Sequence, residues 1–339
     1  MTSTTRERLD IRSVVRLTEL ADYIVPFALR VAASLGVADA LAAGPRPVEE
    51  VAAGLGVDAR SLHRVLRALA SRGVFVEHEP GTFGLTPTAE PLRSDHPLSL
   101  RDAYPLMAAD VEAWAELPST LRTGRPAFDR VHGMRLWDFL AAHPEESEQF
   151  DRGMEALSRL ELRALLPAYD WASLGTIVDV GGGNGAFLAA ILRRHQALRG
   201  VVFDAPHVVA NVAERLAAAG VRDRCEVAAG SFFDAVPRGG DAYVLKRILY
   251  GWEDTRAVDI LRTVRAAMNP ESRLLLLEPA IEGGDEPAVA AILDVVMLVV
   301  DGGKARTFDE LAALLSAAGL ELTRVVRTMM FPIVEARPV

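Results

Sequence analysis

A run of glycines after a short apolar segment is the part of the sequence whose residue types most directly suggest chemistry. Ile177-Val178-Asp179-Val180 leads into Gly181-Gly182-Gly183-Asn184-Gly185. Glycines in such a turn allow φ > 0 and let a ligand approach the backbone closely. Asp204 follows 19 residues after Gly185, at the end of the next apolar run, where a carboxylate can accept hydrogen bonds from both ribose hydroxyls. The pattern therefore predicts a nucleoside site.

The glycines alone do not decide which nucleoside binds. Gly181, Gly183 and Ala186 also satisfy the G-x-G-x-x-G/A pattern of dinucleotide-binding proteins. Asp179, two residues before the first glycine, and the roughly 175 mostly helical residues before the loop favour S-adenosylmethionine instead. Nothing downstream resembles a hydride-transfer site, so we expect S-adenosylmethionine as the cofactor.

Lysine is rare in this chain and therefore informative. Lys246 and Lys304 are the only lysines among 37 basic residues. Lys246 ends a predicted strand, and α/β sheets bind ligands at the carboxyl ends of their strands. A compact ammonium group with rotatable donors at that position predicts contact with the cofactor. Lys304, in a turn, carries the same argument more weakly.

The elements that must position these residues follow an alternating pattern from Gly175 onward. Buried parallel strands are predicted over residues 177–180, 201–203, 225–228, 242–245 and 274–277, with crossover helices over 186–195, 208–219 and 257–268. A helix over 308–318 and a hairpin of 320–327 and 330–336 close the chain. The fold class is α/β, with a Rossmann-like doubly wound sheet.

The first hundred residues predict a winged-helix unit. Residues 47–73 have the pattern of helix, turn and helix, with Asp58 or Ser61 as N-cap, and the segments 74–77 and 83–85 flank a turn as two strands. Residues 99–168 predict a second helical layer. We therefore expect a winged-helix domain over 1–98, a helical layer lining the acceptor pocket over 99–168, and a catalytic domain over 169–339.

Charge and composition exclude several classes of function. The net charge is -9, and residues 1–100 hold 11 arginines against 12 acidic residues, so the winged helix lacks the basic surface of a DNA-binding domain. Cys225 is the only cysteine, so no internal disulfide forms. The N-terminus has no apolar signal region, and the apolar run 288–300 is too short to span a bilayer and is interrupted by Asp294. We expect a cytoplasmic protein without a metal site, nucleic acid or membrane partner.

Eight blocks of the sequence, in order, resemble one known family: the winged-helix small-molecule O-methyltransferases that use S-adenosylmethionine, among them plant phenolic and bacterial antibiotic-tailoring enzymes. The resemblance covers nearly the whole chain. The blocks are Pro26-Phe27-Ala28-Leu29-Arg30, Phe150-Asp151-Arg152-Gly153-Met154, 179–185, Phe203-Asp204-Ala205-Pro206-His207-Val208, Gly230-Ser231-Phe232-Phe233, 245–252, Glu278-Pro279 and Gly302-Gly303-Lys304-Ala305-Arg306-Thr307.

The resemblance implies roles for individual residues. The loop around Gly181 and Gly183 would lie alongside the methionine part of the cofactor, and Asp204 would hold the ribose. Ser231 and Phe232 would face the adenine, Trp252 would pack beside it, and Lys246 would lie near the methionine end. The N-terminal domain would form a homodimer, in which its helices help to close the partner's pocket.

The sequence departs from the family at the acid-base positions. The family's histidine base, in the pattern Leu-Lys-x-x-Leu-His-Asp-Trp, is replaced by Tyr250, and the aspartate after it by Gly251. Glu278 matches the first of two flanking glutamates, whereas Ala305 replaces the second. Ser231 stands where the family has an aspartate on the adenine side. A tyrosine phenol is no stronger a base than a phenolic acceptor, so we expect Tyr250 to orient the substrate.

Three explanations of this departure stay open. The acceptor is acidic enough to bind already ionised, or another carboxylate, Asp301 or Asp294, replaces the lost groups, or the cofactor is bound without methyl transfer and the enzyme hydroxylates, decarboxylates or cyclises. Candidates for the acceptor pocket share apolar or aromatic character: Met107, Trp114, Phe150, Met154 and Met297, with Asp294 in the same segment. The favoured prediction is an O-methyltransferase acting on a small aromatic metabolite. A ligand-sensing DNA-binding regulator is the least favoured alternative.

Overall fold

The computed structural model describes residues 10–282 and 289–339. Within them the chain forms two compact units. One comprises the residues up to Met107 together with Glu148–Leu157, and the other comprises Ala108–Ser147 and Ser158–Val339. The division at residues 98 and 168 stays a prediction.

The N-terminal unit has the predicted winged-helix pattern of helices followed by a small sheet. Its elements are α1 Ile11–Leu20, α2 Ile24–Leu35, α3 Val37–Ala40, β1 Arg46–Pro47, α4 Val48–Leu55, α5 Ala59–Ala70, β2 Phe75–Glu79 and β3 Thr82–Leu85. The strands pair antiparallel in the order β1-β3-β2. Asp58 is the N-cap of α5 and accepts a hydrogen bond from the Ser61 backbone N–H at 2.8 Å. The winged-helix prediction is confirmed.

Five helices follow, namely α6 Ala108–Ala115, α7 Leu117–Thr123, α8 Ala127–His132, α9 Leu136–Ala142 and α10 Pro144–Leu165. The middle of α10 belongs to the N-terminal unit and its two ends to the other. Within the second unit α6 and α8 pack against α15, the helix Val289–Val300. Among the described residues, no helix is long and apolar enough to cross a bilayer.

The C-terminal part of the second unit contains a seven-stranded sheet. Its further strands and helices are β4 Thr176–Val180, α11 Ala186–Arg194, β5 Arg199–Asp204, α12 Pro206–Val209, α13 Val212–Ala218, β6 Cys225–Ala229, β7 Ala242–Lys246, α14 Asp254–Ala267, β8 Arg273–Leu277, β9 Ala280–Ile281, β10 Arg306–Thr307, α16 Phe308–Ala317, β11 Leu320–Val326 and β12 Ile333–Pro338. The predicted single helix over 208–219 is wrong, because residues 210 and 211 form a turn between α12 and α13.

The strand order places the candidate site. The order in the large sheet is β11-β12-β8-β7-β4-β5-β6, with β4 to β8 parallel and β11 and β12 antiparallel. From β4 the chain moves to one side through β5 and β6, and it then returns to the other side through β7 and β8. The carboxyl ends of β4 and β7 therefore form the switch point at which doubly wound sheets bind ligands.

Both faces of the central strands β4, β7 and β8 are buried, which explains why these strands are nearly continuous apolar runs rather than alternating ones. Val178 and Leu245 pack into a cluster on one face, with helices α14 and α16. Ile177, Val202 and Val244 pack into a cluster on the other face, with α11 and α13. The sheet is thus a rigid base for the loops at its carboxyl edge.

Candidate active site

The glycine loop begins directly after β4 and is held by its own backbone. The N–H groups of Gly181 and Gly182 donate to the Phe203 carbonyl at 2.8 and 3.2 Å. Gly181, Gly183 and Gly185 have φ of 72°, 57° and 75°, which residues with side chains rarely adopt. A Cβ on Gly181 would lie 2.3 Å from Cδ1 of Ile248, whereas a Cβ on Gly183 would meet no atom within 4 Å. Gly181 thus closes the loop against its neighbour, and Gly183 faces open space.

Asp204, the last residue of β5, ties the loop to the next strand. Its Oδ2 accepts from the Gly183 N–H at 2.9 Å, and its Oδ1 accepts from the Ala205 N–H at 2.7 Å. Each carboxylate oxygen has a second lone pair. The residue is only partly buried, so Asp204 can shape the loop and still accept hydrogen bonds from a ligand.

Asp179 is a buried carboxyl group inside β4. It is 1% exposed, and its Oδ2 has no hydrogen-bond partner among the described residues. Burial raises the pKa of Asp179 to about 7, the nearby Lys246 acts in the opposite direction, and Asp204 adds to the increase. A buried carboxylate oxygen without a hydrogen-bond partner destabilises the folded state, and such a group at a switch point is typical of functional sites.

Lys246 and Arg247, at the end of β7, share one buried carboxylate. Lys246 Nζ lies 2.5 Å from Oε2 of Glu161, and Arg247 Nη1 donates to Oε1 of the same residue at 3.2 Å. Lys246 also donates to the Ser158 hydroxyl at 3.4 Å. Glu161 lies on α10 and its side chain is 2% exposed. Two cations are therefore held by one anion at the edge of the sheet.

A short turn after β7, residues 248–252, carries Tyr250 and Trp252. Glu278, which follows β8, accepts hydrogen bonds from the backbone N–H groups of Ile248, Leu249 and Tyr250 at 3.0, 2.5 and 3.0 Å. Burial raises the pKa of Glu278 to about 7, and the three N–H donors and the charge of Arg306 act against that increase. Both oxygens of Glu278 are engaged, so the carboxylate holds the turn in this structure.

Arg306 completes the support of this turn from its carbonyl side. Its guanidinium donates to the carbonyl oxygens of Leu249 and Trp252 at 2.9 and 2.6 Å and to Oδ1 of Asp254 at 2.9 Å. Arg306 is 1% exposed. The turn that carries Tyr250 is therefore fixed at its N–H groups by Glu278 and at its carbonyl groups by Arg306.

Tyr250 is buried and accepts a hydrogen bond from Arg247. The distance from Nη2 of Arg247 to the tyrosine oxygen is 3.0 Å. No histidine or carboxylate contacts the tyrosine hydroxyl among the described residues.

The two candidate replacement carboxylates both have partners. Asp301 accepts from Arg135 Nη2 and Trp137 Nε1, each at 3.1 Å, and burial raises its pKa. A Cβ on Gly251 would lie 3.8 Å from Oδ2 of Asp301, so this carboxylate is close to the position at which the family aspartate is missing. Asp294 accepts from the Ala305 N–H at 2.7 Å through Oδ1. It therefore lies next to the position of the missing glutamate.

Aromatic side chains cluster beside the end of the turn. The ring of Phe233 lies 4.8 Å from that of Trp252 and 4.9 Å from that of Phe232, in edge-to-face contacts. The Arg256 guanidinium lies 3.6 Å from the centroid of Phe233. Ser231 is exposed, and its hydroxyl accepts from the Phe233 N–H at 3.2 Å. The cluster forms an apolar aromatic surface beside the glycine loop, which the adenine ring of a nucleoside could contact.

Two family models match this chain. Residues 114–321 match an O-methyltransferase domain, and residues 18–95 match an O-methyltransferase dimerisation domain. The chain belongs to the O-methyltransferase family. Its enzymatic class, its use of S-adenosylmethionine and its Rossmann-like sheet with a mostly helical N-terminal region are thereby confirmed. The dimerisation domain supports the predicted homodimer.

Several relatives match this O-methyltransferase over nearly their full length. Phenazine O-methyltransferase PhzM of Lysobacter antibioticus is 42% identical over 96% of this chain and 96% of its own. CalO1, a methyltransferase in calicheamicin biosynthesis solved in its S-adenosylhomocysteine-bound form, is 38% identical with a TM-score of 0.88 and covers 98% of this chain and 100% of its own. Aclacinomycin 10-hydroxylase RdmB of Streptomyces purpurascens is 36% identical over 91% of this chain and 84% of its own.

The candidate acceptor-binding residues of this O-methyltransferase fall in both units. Trp114 on α6 and Asp294 and Met297 on α15 are partly buried in the second unit, whereas Met107, Phe150 and Met154 belong to the N-terminal unit. Their contact with an acceptor stays a prediction.

Sequence reasoning missed three charged residues of this site. Glu161 lies in a long helix with no local motif, so nothing near it in the sequence marks it. Arg247 and Arg306 lie inside blocks that carry the family resemblance, but their side-chain directions depend on the fold. Arg247 has one further feature, since it is the only residue other than glycine with positive φ among residues 10–282 and 289–339.

Proposed function

We propose that this protein transfers a methyl group from S-adenosylmethionine to a hydroxyl group of a small aromatic natural product, as a homodimer in the cytoplasm. One observation carries the proposal: the glycine loop touches the turn that carries Tyr250, because Gly181 leaves no room for a Cβ beside Ile248. The nucleoside-binding loop and the candidate acceptor-orienting residue are thus in one place. The name of the phenazine O-methyltransferase supports an aromatic acceptor.

The residues at the sheet edge fit the cofactor. Gly183 faces open space and Asp204 keeps free lone pairs, as a ribose needs. In the proposal Asp204 holds the ribose, while Gly181 and Gly183 lie alongside the methionine part of the cofactor. Lys246 and Asp179 lie toward the methionine end, and Ser231, Phe232 and Trp252 contact the adenine side.

The side chains of the protein bind the cofactor, orient the acceptor and exclude water from it. When bound, S-adenosylmethionine would supply the methyl group: the acceptor oxygen would bond to its carbon, the carbon–sulfur bond would break with its electron pair left on sulfur, and the hydroxyl proton would go to solvent. Tyr250 orients the acceptor oxygen, and Glu278 keeps the tyrosine in position through the backbone of its turn. Asp301 anchors Arg135 and Trp137 beside this turn. In the second unit the lining candidates Trp114, Asp294 and Met297 would exclude water from the acceptor.

A second candidate function is catalysis without methyl transfer. Tyr250 replaces the family's histidine, and the hydroxyl of Tyr250 contacts only an arginine among the described residues. One relative of similar length is named a hydroxylase. A product that is altered but keeps its number of methyl groups would support this alternative.

The test is to incubate the purified dimer with labelled S-adenosylmethionine and a panel of phenolic polyketides, and to measure S-adenosylhomocysteine and product mass. We expect a gain of one methyl group and an equal amount of S-adenosylhomocysteine. Asp204→Asn should lose binding of S-adenosylhomocysteine in calorimetry, and the exposed Asp223→Asn is the matched control. Tight binding of a nicotinamide dinucleotide, with no heat from S-adenosylmethionine or its product, would overturn the proposal.

A further inference from the structure

Arg247 has a backbone conformation that needs an explanation. Its φ is 59°, in the left-handed region that side chains with a Cβ rarely adopt. This conformation directs a long cationic side chain into a buried position, where 14% of its surface stays exposed and its Nε has no hydrogen-bond partner among the described residues. Backbone strain together with an unpaired buried donor is typical of residues kept for function rather than stability.

The contact with Arg247 decides which hydrogen-bonding role Tyr250 can play. An arginine has donors only, so in the 3.0 Å contact the tyrosine oxygen must be the acceptor. The hydroxyl hydrogen of Tyr250 is then free to point elsewhere, and no described residue receives it. Tyr250 is therefore arranged to donate a hydrogen bond to a ligand and not to take a proton from it.

The charges around the pair favour an anionic ligand. Lys246 and Arg247 share the single carboxylate of Glu161. Glu278, on the other side of the turn, is engaged with three backbone N–H groups and lies near the cation Arg306. The charge of Lys246 also acts on Asp179, but burial, with the nearby charge of Asp204, raises the pKa of Asp179 to about 7 and so reduces its negative charge at neutral pH. Buried cations without a full complement of anions bind negative charge favourably.

We propose that the acceptor binds as an oxyanion whose charged oxygen accepts a hydrogen bond from Tyr250, and that Arg247 is the positioning residue that fixes the tyrosine in this role. The inference rests on the proposed methyl transfer and names its substrate class: aromatic compounds whose reacting hydroxyl is acidified by a conjugated carbonyl or a similar group. The acceptor loses its proton to solvent before it binds. The enzyme therefore needs no general base, which accounts for the missing histidine.

The test compares two phenols of similar size and different acidity, para-nitrophenol and para-cresol, on the enzyme saturated with S-adenosylhomocysteine. Calorimetry gives the two affinities, and the absorbance of nitrophenol shows whether the bound form is the yellow anion. We expect nitrophenol to bind at least about tenfold more tightly and to ionise at a lower pH when bound than when free. Equal affinities, including no measurable affinity for either phenol, or a bound neutral nitrophenol would overturn the proposal.

Variants of Arg247 and Tyr250 distinguish the loss of a positioned tyrosine hydroxyl from the loss of the fold. Arg247→Met and Tyr250→Phe should each remove most of the shift in nitrophenol ionisation, and Arg247→Lys should restore part of it through charge alone. The exposed Arg262→Met is the matched control and should leave the spectrum unchanged. Binding of S-adenosylhomocysteine shows that each variant is folded. If Arg247→Met kept the full ionisation shift of the unmodified enzyme, a positioning role for Arg247 would be contradicted, even if turnover fell.

The same experiment distinguishes two kinds of failure. If S-adenosylhomocysteine does not bind to the unmodified protein, the proposed function fails and this inference falls with it. If it binds and phenols of the panel are methylated, but nitrophenol is bound in its neutral form, the methyl transfer stands and only the anionic acceptor is wrong.

Discussion

The glycine loop and the turn that carries Tyr250 lie side by side, yet they are held in place by different means. The loop follows β4 and is fixed by its own positive-φ glycines and by Asp204, about twenty residues on. The turn follows β7 and is fixed by Glu278 and Arg306, which come about 30 and 55 residues later in the chain. One half of the site is specified locally, and the other depends on the assembled sheet.

This difference separates stability from function in the two regions. In the loop the backbone conformation is an intrinsic property of glycine, so changing it affects the ligand more than the fold. In the turn three N–H groups and two carbonyl groups depend on two buried side chains, so losing either side chain leaves buried polar groups unpaired. We expect substitutions in the turn to affect stability most and substitutions in the loop to affect cofactor affinity.

Replacing the carboxylate that supports the turn should have the largest effect. Glu278→Ala leaves the N–H groups of Ile248, Leu249 and Tyr250 without an acceptor in a buried site. Since each unsatisfied buried donor costs about 1–3 kcal/mol, we expect a loss of roughly 3 kcal/mol or more in the free energy of unfolding. Urea unfolding of the dimer at fixed protein concentration measures it.

Glu271→Ala is the matched control for this change, because Glu271 is exposed in the turn just before β8. We expect Glu271→Ala to change the free energy of unfolding by no more than about 0.5 kcal/mol. Glu278→Gln keeps one acceptor oxygen, so its free energy of unfolding should lie between those of Glu278→Ala and Glu271→Ala. If Glu278→Ala and Glu271→Ala were equally stable, the turn would not depend on the carboxylate, and the contrast with the loop would disappear.

The buried Asp179 gives the loop side its own measurable signal, in the dependence of stability on pH. Burial raises the pKa of Asp179 to about 7 from 3.8, so between these values the folded state binds more protons than the unfolded state. The stability that Asp179 contributes is complete below about pH 4 and is lost as the pH rises through 7. With about 1.4 kcal/mol for each unit of pKa shift, the whole change is on the order of a few kcal/mol.

Asp179→Asn removes this titration. We expect the variant and the unmodified protein to have similar unfolding free energies near pH 4, and the variant to be the more stable of the two above pH 7. Comparing the two proteins at each pH cancels the contribution of Glu278, which titrates over a similar range. Parallel curves over the whole range would show that Asp179 keeps an ordinary acidity in the folded protein.

The local half of the site is also the half that the sequence predicts. Asp179, Gly181 and Asp204 have positions that follow from strand periodicity and from the conformational needs of glycine, and the strands 177–180 and 242–245 are confirmed to within one residue at each end. Of the two N-cap candidates of α5, Asp58 and Ser61, the structure has Asp58, and a cap is predictable because it depends on residues next to it.

The turn could not be predicted in the same way. The family resemblance places Glu278 at an acid-base position and so makes it a catalytic candidate, but its support of three backbone N–H groups depends on the packing of β8 beside β7. Arg306 and Glu161 reach their partners from segments that are distant in sequence. Likewise the break at residues 210 and 211 between α12 and α13 has no strong local signal, because neither Gly nor Pro marks it.

A pair of glycine substitutions tests how closely the two regions pack, and it should give the smallest effect. Gly181→Ala and Gly183→Ala both place alanine at positive φ, at a cost of about 1–2 kcal/mol. The alanine at 181 also meets Ile248, whereas the alanine at 183 meets no atom within 4 Å. We therefore expect Gly181→Ala to weaken S-adenosylhomocysteine binding, measured by calorimetry, roughly tenfold more than Gly183→Ala. Adding Ile248→Ala should recover most of that difference, because it removes the obstructing carbon atoms. If the second substitution recovered nothing, the strain would lie in the loop backbone alone, and the cofactor half of the site would be independent of the turn beside it.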